Sequence, residues 1–154
     1  MKVQWKDLAT CIVIPLAVGS LSSLLTKNSM ETFGLLSKPA LAPPGWLFPV
    51  VWTVLYILMG IASYLVLTSG KPGTNAALAV YGIQLAFNFF WPVIFFNLGM
   101  YLLAFIWLIA LWLLVFKTTI LFYQISKPAG YLMVPYLMWL TFAAYLNFSI
   151  YLLN

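Results

Sequence analysis

The chain has 154 residues, 65% of them hydrophobic and 6% charged, against roughly 25% charged in a soluble domain, which excludes a water-soluble globular protein. Its formal charge of +5 comes from scattered lysines set against Asp7 and Glu31, with no arginine, so no basic patch marks a nucleic-acid partner. With no histidine and a single cysteine, Cys11, one copy of the chain lacks the donors for a zinc cage, a Cys-His dyad or an internal disulfide, and no metal site is expected.

A membrane-spanning helix needs about 20 predominantly apolar residues. The apolar runs predict five such helices, an all-α integral membrane bundle forming one domain over residues 1–154. Helix 1 is expected at about Leu8 to Thr26, closed by Lys27, Asn28, Ser29 and Glu31. A cleavable signal peptide is the alternative for this run, since Lys2 and Lys6 precede the small residues Ala17, Gly19 and Ser20, but the stretch is long for one. Loop 1, about residues 27–45, is the only long connection. Its segment Ser37-Lys38-Pro39-Ala40-Leu41-Ala42-Pro43-Pro44-Gly45 is stiffened by proline, which fixes φ and removes a donor, and reads as a lid. Helix 2 is expected at about Trp46 to Ser69, ended by Gly70-Lys71-Pro72-Gly73, and helix 3 at about Asn75 to Phe96. Asn97-Leu98-Gly99 separates helix 3 from helix 4, about Met100 to Ile125, and a loop Ser126-Lys127-Pro128-Ala129-Gly130 leads to helix 5, about Tyr131 to Leu153. Pro15 and Pro92 fall inside helices 1 and 3, where proline serves kinks or packing. Lys2, Lys6, Lys71 and Lys127, joined by a snorkelling Lys117, face Lys27 and Lys38 on the other side. The positive-inside rule then places the N-terminus in the cytoplasm and loop 1 and the C-terminus outside.

Polar residues inside a span cost free energy in lipid and mark function. Here they are amides and phenols, so a proton-coupled pump has nothing to titrate and ordinary acid-base catalysis lacks its players. Gln84, Asn88 and Trp91 share one face of helix 3, being four and three residues apart. Trp52, Tyr56, Met59 and Ser63 form a stripe on helix 2, and Tyr136, Trp139, Ala143, Leu146 and Asn147 one on helix 5. Helix packing is the alternative use of each stripe. However, Trp52, Trp91 and Trp139 lie well inside their spans, whereas interfacial tryptophans sit at the ends, as Trp5 and Trp46 do. A cavity formed by helices 2, 3 and 5 under loop 1, with Gln84, Asn88 and Asn147 as polar handles, suits a large flat apolar ligand. Phe48, Phe87 and Phe142 complete the candidate ligand-contacting set. On helix 3, Ala79, Gly82 and Ala86 make a narrow stripe of small residues, which lets membrane helices approach closely and predicts a homodimer through that helix or packing within the chain.

Three groups of motifs carry a family resemblance. Lys38-Pro39, Pro43-Pro44-x-Trp46 and Pro49-Val50-Val51-Trp52-Thr53-x-Leu55-Tyr56-x-x-Met59-Gly60 form the first; Gln84-Leu85-Ala86-Phe87-Asn88-x-x-Trp91-Pro92 with Phe95-Phe96 the second; Pro135-Tyr136-Leu137-x-Trp139 with Asn147 the third. Together they resemble the tryptophan-rich sensory protein, or translocator protein, family (TspO/MBR), over helices 2 to 5 and loop 1. The resemblance implies a five-helix membrane bundle, commonly dimeric, that binds porphyrins and isoquinoline- or benzodiazepine-type ligands under loop 1. By that analogy Pro43, Trp52, Asn88, Trp91, Trp139 and Ala143 line the pocket, with Phe33 where the family often has tyrosine. A bacterial-type member implies the bacterial cell membrane. Two departures stand out. Thr32-Phe33 replaces the family's Trp-Tyr pair, and the chain ends Tyr151-Leu152-Leu153-Asn154 without the basic residue of sterol-binding relatives, which argues against sterol recognition; Leu121-x-Tyr123-x-x-x-Lys127 meets only the loose form of that pattern.

Three functions fit the sequence: a tetrapyrrole receptor, a tetrapyrrole transporter, and light-dependent porphyrin degradation with Trp52 and Trp139 as electron donors or radical traps. No internal repeat with paired broken helices supports transport. No resident cofactor is required, and with the usual proximal histidine absent, an iron-free porphyrin is the expected ligand or substrate.

Overall fold

The computed structural model describes residues 2–29 and 33–154; Glu31 and Thr32, named above in the helix 1 boundary and the loop 1 departure, lie outside the described residues. Among the described residues five long apolar helices form: α1 (Trp5–Thr26), α2 (Leu47–Leu67), α3 (Thr74–Pro92), α4 (Tyr101–Ile125) and α5 (Lys127–Leu153). A 3-10 turn, Lys27–Ser29, follows α1, and a wider π turn, Val93–Asn97, continues α3.

Two boundaries depart from expectation. α1 begins at Trp5, three residues before Leu8, because polar Lys6 and Asp7 at a helix end sit at the membrane border and need no apolar environment. The expected loop at 126–130 collapses to Ser126 alone, which is extended at φ −147 and ψ 114. Pro128 then stands in the first turn of α5, where a missing N–H is no loss.

The main packing runs around a ring, α1 on α2, α2 on α5, α5 on α4, α4 on α3 and α3 back on α1, with α2 also touching α3 and α4. The outward faces carry Val13, Ile14, Leu21, Ile106, Ile109, Leu113 and Ile120, all exposed; such a surface is stable only in lipid, and the protein is integral to a membrane. Threonine hydroxyls within the spans turn back on their own helix: Thr53 donates to the Pro49 carbonyl at 2.7 Å, and Thr118 to Leu114 at 2.8 Å, which satisfies them without water.

The two ends are tied differently. At one end the Gln4 N–H donates to the Tyr64 hydroxyl at 2.9 Å and Lys71 Nζ donates to the Ile125 carbonyl at 2.7 Å, the lysine capping a helix C-terminus. At the other, Ser29 Oγ donates to Asn97 Oδ1 at 2.6 Å, while Asn97 Nδ2 donates to the Leu25 carbonyl at 3.0 Å. Gly99, with φ +62, makes the sharp turn into α4 that a side chain would strain.

Candidate functional site

Between α1 and α2 the packing changes along the bundle. A Cβ added at Gly60 would meet the Cys11 carbonyl and Ile12 Cα at 2.7 Å, so the helices touch there, backbone to backbone. Towards loop 1 the contact gives way to aromatic rings, and the space under Phe33 is a cavity of about 860 Å³.

The cavity is walled by a chain of aromatic contacts. Trp52 stacks on Tyr56 at 5.6 Å between ring centroids and meets Trp139 edge-on at 6.5 Å. Trp139 touches Phe48 at 5.9 Å, Phe48 touches Phe33 at 6.4 Å, and Phe33 reaches Phe95 and Phe96. Trp91, stacked on Phe95 at 5.2 Å, ends the chain on the α3 side. Gly19 on α1 has the Tyr56 ring where a side chain would stand, so the phenol leans across towards α1.

Behind this wall runs a polar network. The Tyr56 hydroxyl donates to Asn88 Oδ1 at 2.7 Å, Asn88 Nδ2 donates to the Tyr136 hydroxyl at 2.8 Å, and Tyr136 donates to Gln84 Oε1 at 2.7 Å. Nearby, Trp91 Nε1 donates to Asn147 Oδ1 at 3.0 Å, and Asn147 Nδ2 to the Tyr101 carbonyl at 2.9 Å. Both functional ends of Asn88 and Asn147 are thus engaged. These amides hold the indole and phenol rings in place rather than offering open hydrogen-bonding ends to a ligand. Trp139 Nε1, Gln84 Nε2 and the Tyr81 hydroxyl are buried without a partner among the described residues.

Of the residues picked out from sequence, Phe33, Phe48, Trp52, Tyr56, Asn88, Trp91, Trp139, Ala143, Leu146 and Asn147 line the cavity. Gln84 and Tyr136 stand behind it in the network, and Phe142 packs on Trp139 at 5.6 Å. Pro43 is half-buried in loop 1 outside the lining, and Phe87 stacks on Trp107 at 4.3 Å, away from it. The expected three-helix cavity is in fact built by all five: α4 supplies Leu108 and Leu111, and α1 supplies a wall from Leu16 through Gly19, Ser20 and Ser23 to Lys27. The cluster of small residues on helix 1 was the available signal for that wall. Ala79, Gly82 and Ala86 all face outward from α3, and a Cβ added at Gly82 meets nothing within 4 Å.

The described part of loop 1 from residue 33 onward carries short turns, Ala42 N–H to the Pro39 carbonyl and Leu47 N–H to the Pro44 carbonyl, both 3.0 Å. It is also held from α5: the Ser37 N–H donates to Asn154 Oδ1 at 3.1 Å and Asn154 Nδ2 donates to the Ser37 carbonyl at 2.9 Å.

Comparison with known proteins agrees with this architecture. The TspO/MBR family matches residues 11–153. The chain is 42% identical to the tryptophan-rich protein TspO of Chlorobaculum tepidum, with 100% of this chain and 99% of that protein aligned. It is 38% identical to the tryptophan-rich sensory protein of Cereibacter sphaeroides, over 100% of this chain and 95% of the other. The translocator protein of Ovis aries is 32% identical over 98% of this chain and 92% of its own length. With five membrane-spanning helices around an aromatic cavity and a match over nearly its whole length, the chain belongs to the TspO/MBR family.

Proposed function

We propose that the protein is a receptor for tetrapyrroles, binding an iron-free porphyrin in the cavity under loop 1, and that isoquinoline- and benzodiazepine-type molecules occupy the same space. The observation that carries this reading is the run of aromatic contacts from Phe33 through Phe48, Trp139 and Trp52 to Tyr56 around a cavity of about 860 Å³. A volume of this order, walled by flat rings with few polar groups, matches a ligand that gains its affinity from stacking and buried apolar area. Titrating the purified protein with protoporphyrin while following tryptophan fluorescence tests it. Saturable binding that Trp139→Phe and Trp52→Phe both weaken is expected; wild-type affinity in both variants would sink the assignment.

The same geometry supports light-dependent degradation. A photoexcited porphyrin takes one electron from an indole, leaving a reduced porphyrin radical and an indole radical cation, and dioxygen is the oxidant consumed in the ring opening that follows. Trp52 and Trp139 are the proposed donors. Turnover is expected to need light and to fall further than binding in the double phenylalanine variant; equal turnover in darkness overturns it. Transport is the second reading, favoured by the exposure of Ser20, Ser23, Leu24, Pro49 and Thr53, lining residues that open the cavity sideways between α1 and α2. Release of porphyrin from loaded vesicles separates the two. In this proposal the protein sits in a bacterial cell membrane with loop 1 outside, as a homodimer through the small-residue stripe of α3.

A further inference from the structure

We propose that Lys27 selects the ligand by pairing with a carboxylate at the edge of a flat apolar molecule whose body lies among the cavity's aromatic rings. This rests on the tetrapyrrole reading and narrows it to ligands carrying carboxylates on short arms.

Among the described residues that line the cavity, Lys27 is the only charged one, and no Asp or Glu accompanies it there. The described lining therefore has a single pole, positive and at one end. Lys38, the other lysine at this end of the bundle, is outside the lining and already engaged: its Nζ lies 4.7 Å from the Phe33 ring centroid, with the Gly34 and Leu36 carbonyls at 3.4 Å.

The base of Lys27 is fixed by neighbours on both sides in sequence. Asn97 holds the Leu25 carbonyl with its amide nitrogen and accepts from Ser29 with its oxygen, clamping the end of α1 against the end of α3. A flexible four-carbon stem then carries the ammonium from a defined point. Lys27 is exposed, just past the last turn of a membrane-spanning helix, so a carboxylate there keeps part of its hydration. Deeper in, the same carboxylate would meet Trp, Phe and Leu side chains and the committed amides of Asn88 and Asn147, and the one unpartnered donor of the described lining there, the neutral Trp139 indole N–H, offsets only part of a carboxylate's desolvation. The acid edge therefore stays at Lys27 and the ring points towards Trp52 and Trp139.

The test uses the full chain in neutral lipid nanodiscs, titrated with protoporphyrin, a dicarboxylate, and with its uncharged dimethyl ester. Lys27→Gln is expected to weaken the diacid about fivefold, the scale of one charge-assisted contact near water, and to leave the ester unchanged. Lys27→Arg should retain the diacid, and raising the salt concentration should erode the wild-type preference for acid over ester. Lys38→Gln should leave the acid-to-ester ratio where it was. An unchanged diacid affinity in Lys27→Gln, an equal loss for acid and ester, or a selective loss in Lys38→Gln instead would each overturn the assignment. A wild-type protein that binds neither porphyrin fails the tetrapyrrole reading itself, and this inference with it; one that binds both equally well in wild type and Lys27→Gln fails only the role of Lys27.

Discussion

The half of the bundle near Gly60 and the half under loop 1 use the same five helices to opposite ends. In the first, Ala62, Ala77, Ala129 and Met133 are fully buried, and small side chains at the crossings let the backbones close. In the second, Phe48, Trp52, Trp91 and Trp139 stand where small residues would be, and rigid rings braced by amides keep the helices apart. Since lipid tails are as apolar as leucine, apolar character alone does not decide between contact and cavity; side-chain size does. A cavity in a membrane bundle is thus a place where large rings meet one another before the helices can close.

The sharpest way to break this comparison is to put bulk into the closed half. Gly60→Leu would drive a side chain into the Cys11 carbonyl and Ile12 Cα, backbone atoms that cannot swing aside, and overpacking of this kind costs about 1–3 kcal/mol or more. We expect the largest loss of thermal stability among the variants considered, measured in detergent. Gly19→Leu instead drives first into the Tyr56 ring, a side chain on the cavity wall that can yield into the open space where backbone cannot, and is expected to lose ligand binding with a smaller loss of stability than Gly60→Leu. If the two variants lose stability equally, the halves do not differ as described.

Next comes the network that braces the open half. Tyr136→Phe removes one hydroxyl that serves both Asn88 Nδ2 and Gln84 Oε1. Hydrogen bonds between membrane helices average below 1 kcal/mol, but a buried group left unpaired costs more, so a loss of about 1–2 kcal/mol is expected. Because Asn88 also positions Tyr56, binding should weaken together with stability. Unchanged affinity would show that the wall does not depend on the network.

How much of this was legible in the sequence follows from which signals are local. The five spans were, because length and apolarity are counted along the chain, and so were the Trp52, Trp91 and Trp139 stripes, because helical spacing puts them on known faces. The wall from α1 was not: Gly19, Ser20 and Ser23 become lining only through the space that large rings on α2 and α5 leave opposite them. Nor was the commitment of Asn88 and Asn147, since whether an amide is open or engaged depends on tyrosines and carbonyls from other helices. Phe87 shows the reverse error. It is adjacent to Asn88 in sequence, yet one residue is about 100° around a helix, which turns it away towards Trp107 on α4.

The outward stripe of α3 lies outside both halves and tests whether assembly is separate from the site. Replacing Gly82 and Ala86 by leucine adds bulk where, among the described residues, nothing lies within 4 Å of a Cβ at Gly82. Monomers that still bind porphyrin are expected, with cross-linking in lipid as the measurement. A dimer that survives the substitution refutes the interface.

The smallest effect sharpens the comparison at its open end, where a polar clasp adds to the ring packing of Phe33 in holding loop 1. Asn154 exchanges two hydrogen bonds with Ser37 across the bundle's rim, both exposed to water, and bonds of that kind contribute well under their buried value. Asn154→Ala should therefore leave the melting temperature within measurement error, because the Ile150 carbonyl, which also loses the Asn154 side chain, keeps the backbone N–H of residue 154. What it releases is loop 1, with Phe33 at its near end and Phe33 resting on Phe48, Phe95 and Phe96. If loop 1 is the lid over a porphyrin site, as proposed, dissociation of bound porphyrin, followed by stopped-flow fluorescence, should quicken by about threefold, the factor that roughly 0.65 kcal/mol gives. Hydrogen exchange at residues 33–46 should rise in the same variant and stay flat in α2 below Tyr56. An unchanged dissociation rate beside faster exchange would mean that loop 1 moves without gating the cavity, and the ligand then leaves by the side opening between α1 and α2.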